Sequence, residues 1–91
     1  MTQADHLRQS FTAVQANEAF TEAVLAMRDG SQLFFCHRTD ERAVRAESSD
    51  GKPGEASQAG QVVADISRFR LNRKHLDILF RDGSRWEALF S

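Results

Sequence analysis

The tetrapeptide Arg-Asp-Gly-Ser occurs twice in this chain, at Arg28–Ser31 and at Arg81–Ser84, and each copy separates two apolar runs. An Asp-Gly pair between apolar runs is the strongest short-range signal for a β-hairpin, because glycine adopts the positive φ angle that the tight turn requires. A chain of 91 residues is long enough for one domain. The two turns therefore restrict that domain to folds that contain antiparallel sheet.

The second hairpin has the more regular pattern, with apolar residues alternating on both sides of its turn: Leu76, Ile78, Phe80, Trp86, Ala88 and Phe90. A two-residue loop would pair Phe80 with Arg85 and divide this set between the two faces of the hairpin. A three-residue loop with a left-handed Gly83 and a bulge instead pairs Ile78 with Trp86 and places the whole set on one face. We predict this second register, because a slip of one residue reverses every side chain.

The first hairpin is predicted from the apolar runs Phe20–Met27 and Gln32–Arg38. Arg42–Glu47 suits either a third strand or a short helix with an acid-rich first turn, and we favour the strand. Alignment of the two Arg-Asp-Gly-Ser turns also superimposes the apolar positions beside them. Because this match is short, we favour two independent uses of a common turn over an internal duplication.

Two helices are predicted from apolar residues that recur with helical spacing. The apolar stripe of the first is Leu7, Phe11 and Val14. Thr2 or Asp5 would cap the start of this helix, and Asn17 would end it.

The second helix is predicted over Gln58–Arg68, with Ser57 as its cap. Its apolar stripe is Ala59, Val62, Val63, Ile66 and Phe69. Arg70–Lys74 would then be a connector, with Asn72 as a candidate for left-handed backbone. Residues 48–55 contain the only proline and two of the five glycines, so we expect a mobile surface loop there.

Helices and hairpins in the order α-β-β-(β)-α-β-β predict the α+β class. We expect a single domain over residues 1–91, with helices packed on an antiparallel sheet of four to five strands built from the two hairpins.

Composition predicts a cytoplasmic protein. No apolar run approaches the roughly 20 residues of a membrane helix, and Asp5 lies where a signal peptide carries basic residues. The lone Cys36 fits a reducing compartment. Ten of the twelve basic residues are arginine, which suggests a GC-rich bacterial genome.

No motif in the sequence predicts catalysis, a cofactor or a metal. Cys36 and His37 are neighbours on a predicted strand, so their side chains point to opposite faces and cannot act as a nucleophile–base pair. The three histidines have no ligand spacing. Gly51–Gly54 resembles a phosphate loop only in composition, because Pro53 follows the lysine where the Walker pattern needs serine or threonine. We therefore do not expect an enzyme.

The outward-facing strand residues suggest a protein-interaction or assembly module. We expect it to self-associate as a homodimer through an apolar sheet face, or to bind an unidentified protein partner there. A contiguous apolar patch that stays exposed marks an interface. The candidates for apolar contact are Val24, Phe34, Leu79 and Leu89, with Arg85 and Glu87 as the polar rim. Alternatively, the helices cover both faces, or the strands curl into a partial barrel, and no patch remains.

A second hypothesis is weak binding of single-stranded nucleic acid by the basic C-terminal third. Residues 68–91 carry six basic and three acidic side chains, although the whole chain has a net charge of −1. Arginines on a small sheet can hold a single strand by phosphate contact. The candidates are Arg70, Arg73, Lys74 and Arg81.

Overall fold

A computed structural model describes residues 1–90 of the chain. Within this range the elements are α1 (Gln3–Ser10), β1 (Phe11–Ala16), β2 (Glu22–Met27), β3 (Gln32–His37), β4 (Arg42–Glu47), α2 (Gln58–Asp65), β5 (Ile66–Leu71), β6 (His75–Phe80) and β7 (Arg85–Leu89). The α+β class is confirmed. The strands are antiparallel, but they form two sheets, β1-β2-β3-β4 and β5-β6-β7, rather than one.

Both hairpins have the register that the apolar pattern predicts. Ile78 pairs with Trp86 in the second hairpin, and Leu25 pairs with Leu33 in the first. Gly30 and Gly83 have φ angles of 87° and 88°, so glycine supplies the left-handed position in each turn. Arg42–Glu47 is a strand, as favoured, and pairs along its whole length with β3.

Both helices are shorter than predicted, and each is followed directly by a strand. The first ends at Ser10, so Val14 lies in β1 and not on a helical face. The second ends at Asp65, and the predicted helical residue Phe69 lies in β5. Thr2, one of the two candidates, is the N-cap of α1.

The two asparagines near the strand ends form turns instead of ending a helix or adopting a left-handed backbone. Asn17 Oδ1 accepts hydrogen bonds from the backbone N–H groups of Thr21 and Glu22, at 2.9 and 3.0 Å. Asn72 Oδ1 accepts the equivalent hydrogen bonds from the backbone N–H groups of Lys74 and His75, at the start of β6. Within residues 1–90, the non-glycine residue with positive φ is Phe20, at 54°.

The chain contains the same αβββ unit twice, as α1-β1-β2-β3 and as α2-β5-β6-β7. Both units have an N-cap hydroxyl residue, a bulge at the start of the first strand and identical strand registers. They differ in the first turn, which is two residues longer at 17–21 than at 72–74. The structural repeat therefore extends through the whole αβββ unit and not only through the turns.

Each turn caps the helix of the other repeat. The carboxylate of Asp82 accepts the backbone N–H of Gln3 at 2.8 Å, and that of Asp29 accepts the backbone N–H of Gln58 at 2.9 Å. The hydroxyl of the serine in each turn accepts the backbone N–H of the next helical residue, Ala4 for Ser84 and Ala59 for Ser31. Ser31 is buried. The two repeats thus complete each other's helix ends.

One hydrophobic core lies between the two repeats. Each sheet has an inner face that contributes to it, and both helices add side chains, including Leu7 from α1 and Val62 from α2. Trp86 of the second repeat packs edge-to-face on Phe11 of the first, with ring centroids 5.2 Å apart. Because both inner faces are buried in this core, the opposite face of each sheet points away from it.

Candidate interaction surfaces

The side chains that point away from the core define two surfaces. The first outer face belongs to the sheet β1-β2-β3-β4 and is centred on Val24, Phe34, Cys36, Ala43 and Arg45. The second outer face belongs to the sheet β5-β6-β7 and is centred on Arg68, Arg70, Asp77, Leu79 and Arg85. Both helices pack on the core side, so neither outer face is covered by another element of residues 1–90.

The first outer face holds a shallow apolar depression of about 320 Å³. Val24 and Phe34 are cross-strand partners in it, and both are half-buried. The guanidinium of Arg45 lies over the Phe34 ring, 4.4 Å from its centroid. A stacked arginine–aromatic pair is the kind of group on which protein interfaces concentrate their binding energy.

Charges of both signs surround this depression. Glu22 and Glu41 line its edge, and Glu22 pairs with Arg38 at 2.5 Å. Arg45 also forms an ion pair with Glu47. A rim with both signs lets two copies of the same surface place unlike charges opposite each other.

The second outer face differs in charge from the first, because it holds a concavity of about 390 Å³ that is lined mainly by arginine. Its lining is Arg42, Arg68, Phe69, Arg70, Asp77, Leu79 and Arg85. Arg42 reaches it from β4 of the other sheet, and the remaining residues come from the second repeat.

One carboxylate offsets this positive charge only in part. Asp77 Oδ2 accepts a hydrogen bond from Arg85 at 2.5 Å, and this bond and the Asp77 charge raise the pKa of Arg85. The other oxygen, Oδ1, is buried and has no hydrogen-bond partner among residues 1–90. Arg42, Arg68 and Arg70 form no ion pair within the same residues.

The six interface candidates from the sequence divide between the two faces. Val24 and Phe34 lie together on the first outer face, whereas Leu79, Arg85, Glu87 and Leu89 lie on the second. Leu89 is the more exposed of the two leucines, with 75% of its surface accessible, and it lies beside the contact between His75 Nδ1 and the Glu87 carboxylate. One surface therefore cannot contain all six.

The four nucleic-acid candidates also separate. Arg70 lines the arginine concavity, and Arg73 and Lys74 follow it in the turn between β5 and β6. Arg73 lies 6.0 Å from the ring centroid of Phe20. Arg81 is at the far end of β6, where its Nε donates to the carbonyl of Ala64 at the end of α2, so it serves the fold.

Arg42 and Arg68 complete the concavity but were missed among the candidates. Arg68 was assigned to a helix, although the alternation of Arg68 and Arg70 with Phe69 and Leu71 is the pattern of a strand. Arg42 carries no local signal, because its contact with the second repeat depends on how the two sheets meet.

The repeat provides an internal comparison for both faces. Val24 and Phe34 of the first repeat correspond to Asp77 and Glu87 of the second. In the opposite sense, Arg68, Arg70 and Arg85 correspond to Ala13, Gln15 and Gln32. The apolar character of the first outer face and the basic character of the second are therefore not shared by the two repeats.

Cys36 and His37 point in different directions. Cys36 is half-buried and lines the apolar depression. His37 Nδ1 accepts the backbone N–H of Leu71 at 3.1 Å, which joins the end of β3 to β5. Residues 1–90 contain no group of three or more His, Cys, Asp or Glu side chains placed to hold a metal ion.

No protein-family model, no curated protein and no solved structure matches this chain. Neither helix in the described part of the chain is long and apolar enough to cross a bilayer.

Proposed function

We propose that this protein is a small cytoplasmic, non-enzymatic assembly module that forms a homodimer through its first outer face. The observation that carries the proposal is the apolar pair Val24–Phe34 on a sheet face that no helix covers within residues 1–90. The second repeat carries acids at the corresponding positions, so the apolar pair is specific to the first repeat.

The rim of the face favours a second copy of the chain as the partner. Glu22, Glu41, Arg38 and Arg45 provide both signs of charge, which is what a two-fold interface between identical surfaces needs. The second outer face, in contrast, is mainly positive and would repel its own copy.

The size of the face predicts a weak dimer. Four strands of six residues cover about 19 by 20 Å. A footprint of this size is small for a protein interface, so we expect a weak dimer with a dissociation constant in the micromolar range.

Sedimentation velocity across the micromolar range tests the proposal. The wild type should show concentration-dependent dimerisation, and Phe34→Glu should remain a monomer. Glutamate is the residue that the second repeat carries at this position, so the variant should keep the wild-type circular dichroism spectrum.

Leu89→Glu is the matched control, because it places the same charge on the second outer face. It should leave dimerisation unchanged. A wild type that stays monomeric throughout would contradict the proposal, and so would a dimer that Leu89→Glu dissociates and Phe34→Glu does not.

A further inference from the structure

The arginine concavity on the second outer face is a separate site that the dimer does not use. We propose that it binds the phosphate backbone of single-stranded nucleic acid, with Arg42, Arg68 and Arg70 as the phosphate-binding residues.

The charge of the concavity is the first argument. Four guanidinium groups line it with one carboxylate, Asp77, which already pairs with Arg85. Arg42, Arg68 and Arg70 have no acidic partner among the described residues. Planar guanidinium groups match the geometry of phosphate oxygens and can bind them through two parallel hydrogen bonds.

The fold does not explain these arginines. Arg68 and Arg70 occupy the positions of Ala13 and Gln15 in the first repeat, with the same strand register. Like charges placed together in one concavity repel each other and therefore oppose folding. A bound polyanion would remove this repulsion.

The arrangement of the basic groups favours an extended ligand. Arg68 and Arg70 are two residues apart on β5, so their side chains leave the same face about 7 Å apart. Arg73 and Lys74 continue the positive charge past the end of the strand. Such a stripe extends beyond the concavity and follows a chain of phosphates better than one small anion.

The outward side chains of the face predict the mode of recognition. The outward positions of β5, β6 and β7 carry polar side chains and leucines. Phe69 also lines the concavity, but it packs against the core and contacts Phe35 with its ring. Binding should therefore depend mainly on phosphate contacts and discriminate weakly between sequences.

Fluorescence anisotropy with labelled oligothymidylate and oligouridylate, at low salt, tests this site in the full-length protein. Binding should weaken as salt increases, with a slope of about −0.7 in log K against log salt for each phosphate contacted. The double variant Arg68→Ala/Arg70→Gln, which restores the first-repeat residues, should bind at least about tenfold more weakly and reduce the slope by about 1.4.

The control variant Arg8→Gln/Lys52→Gln removes the same charge from two exposed positions outside both surfaces. It should change the affinity by less than about twofold. An equal loss in both double variants would show general electrostatic attraction and overturn the site. Absence of oligonucleotide binding at low salt would contradict nucleic acid as the ligand. Polyglutamate serves as a probe for an acidic protein partner, and binding of polyglutamate as tight as that of the oligonucleotides would also contradict it.

Discussion

Single residues with equal roles in the two repeats have different surroundings. Gly30 and Gly83 occupy the same left-handed turn position. A Cβ atom added to Gly83 would meet no atom within 4 Å, whereas one added to Gly30 would lie 3.0 Å from Ser49 Cβ. The segment after β4 therefore packs against the first turn and has no counterpart at the second.

This difference predicts unequal effects of the same substitution. Gly83→Ala should destabilise the protein by about 1–2 kcal/mol, since alanine is unfavourable in left-handed backbone. Gly30→Ala should cost more, because Ser49 must also move. Urea denaturation of the two variants measures both losses of unfolding free energy. Equal losses would show that Ser49 moves aside without cost.

The mobility of the loop at 48–55 stays a prediction.

At the scale of elements, the helices depend on the turns for their ends. The first three N–H groups of α1 are accepted by Asp82, Ser84 and Thr2. Those of α2 are accepted by Asp29, Ser31 and Ser57. A helix of eight residues is marginal on its own, so this complete capping stabilises both.

The same contacts decide where the helices stop. The backbone N–H of Arg28 donates to the carbonyl of Ser10, and that of Arg81 donates to the carbonyl of Asp65, each at 2.8 Å. The side chains of the same two arginines add a second bond. Arg28 Nε donates to the carbonyl of Gln9, and Arg81 Nε donates to the carbonyl of Ala64. The chain then continues as a strand because a partner strand is already in place beside it.

The capping carboxylates predict a pH dependence of stability. Partial burial opposes ionisation of Asp29, but hydrogen bonds from Gln58 and Ser31 outweigh it and lower its pKa. Hydrogen bonds from Ser84 and Gln3 lower the pKa of Asp82. Both pKa values are then below the unfolded value of about 3.9, so the unfolded chain binds protons first as the pH falls.

The stability that these carboxylates provide is therefore present above about pH 4 and is lost below it. Asp29→Asn/Asp82→Asn should be less stable than the wild type at pH 7, and its stability should fall less between pH 5 and 3. Chemical denaturation at each pH measures this. Asp5 and Asp50, whose pKa values are also lowered, keep part of the dependence in the variant. Parallel pH profiles would contradict the capping role.

At the scale of the molecule, the two repeats should fold as one unit. Each repeat supplies the caps of the other's helix, and both sheets share one core. Neither repeat can therefore unfold without exposing apolar surface and unpaired N–H groups in the other.

Trp86 makes this cooperativity measurable, because it is the only tryptophan and lies in the second repeat. Unfolding curves from its fluorescence and from far-ultraviolet circular dichroism should coincide in the wild type. In Asp29→Ala, which removes a cap made by the first repeat, both curves should move together to lower denaturant concentration. A fluorescence curve that stays in place while the dichroism curve moves would show independent repeats.

The sequence by itself determined the hairpins, their registers and the α+β class. These depend on local chemistry, namely a glycine at the left-handed position of each turn and a period-two pattern that buries one face. The same local information identified Thr2 as one of two candidate caps and favoured a strand over a helix at Arg42–Glu47.

Only the tertiary structure decided where the helices end and which residues form each surface. Leu7, Phe11 and Val14 suit a helix as well as a helix followed by a strand, and the choice depends on Arg28, far along the chain. Arg42 meets Arg68 and Arg70 only because the two sheets pack around a shared core. Contacts between residues distant in sequence leave no periodic signal, so the arginine concavity and the division of the apolar candidates between two faces emerge only in the folded chain.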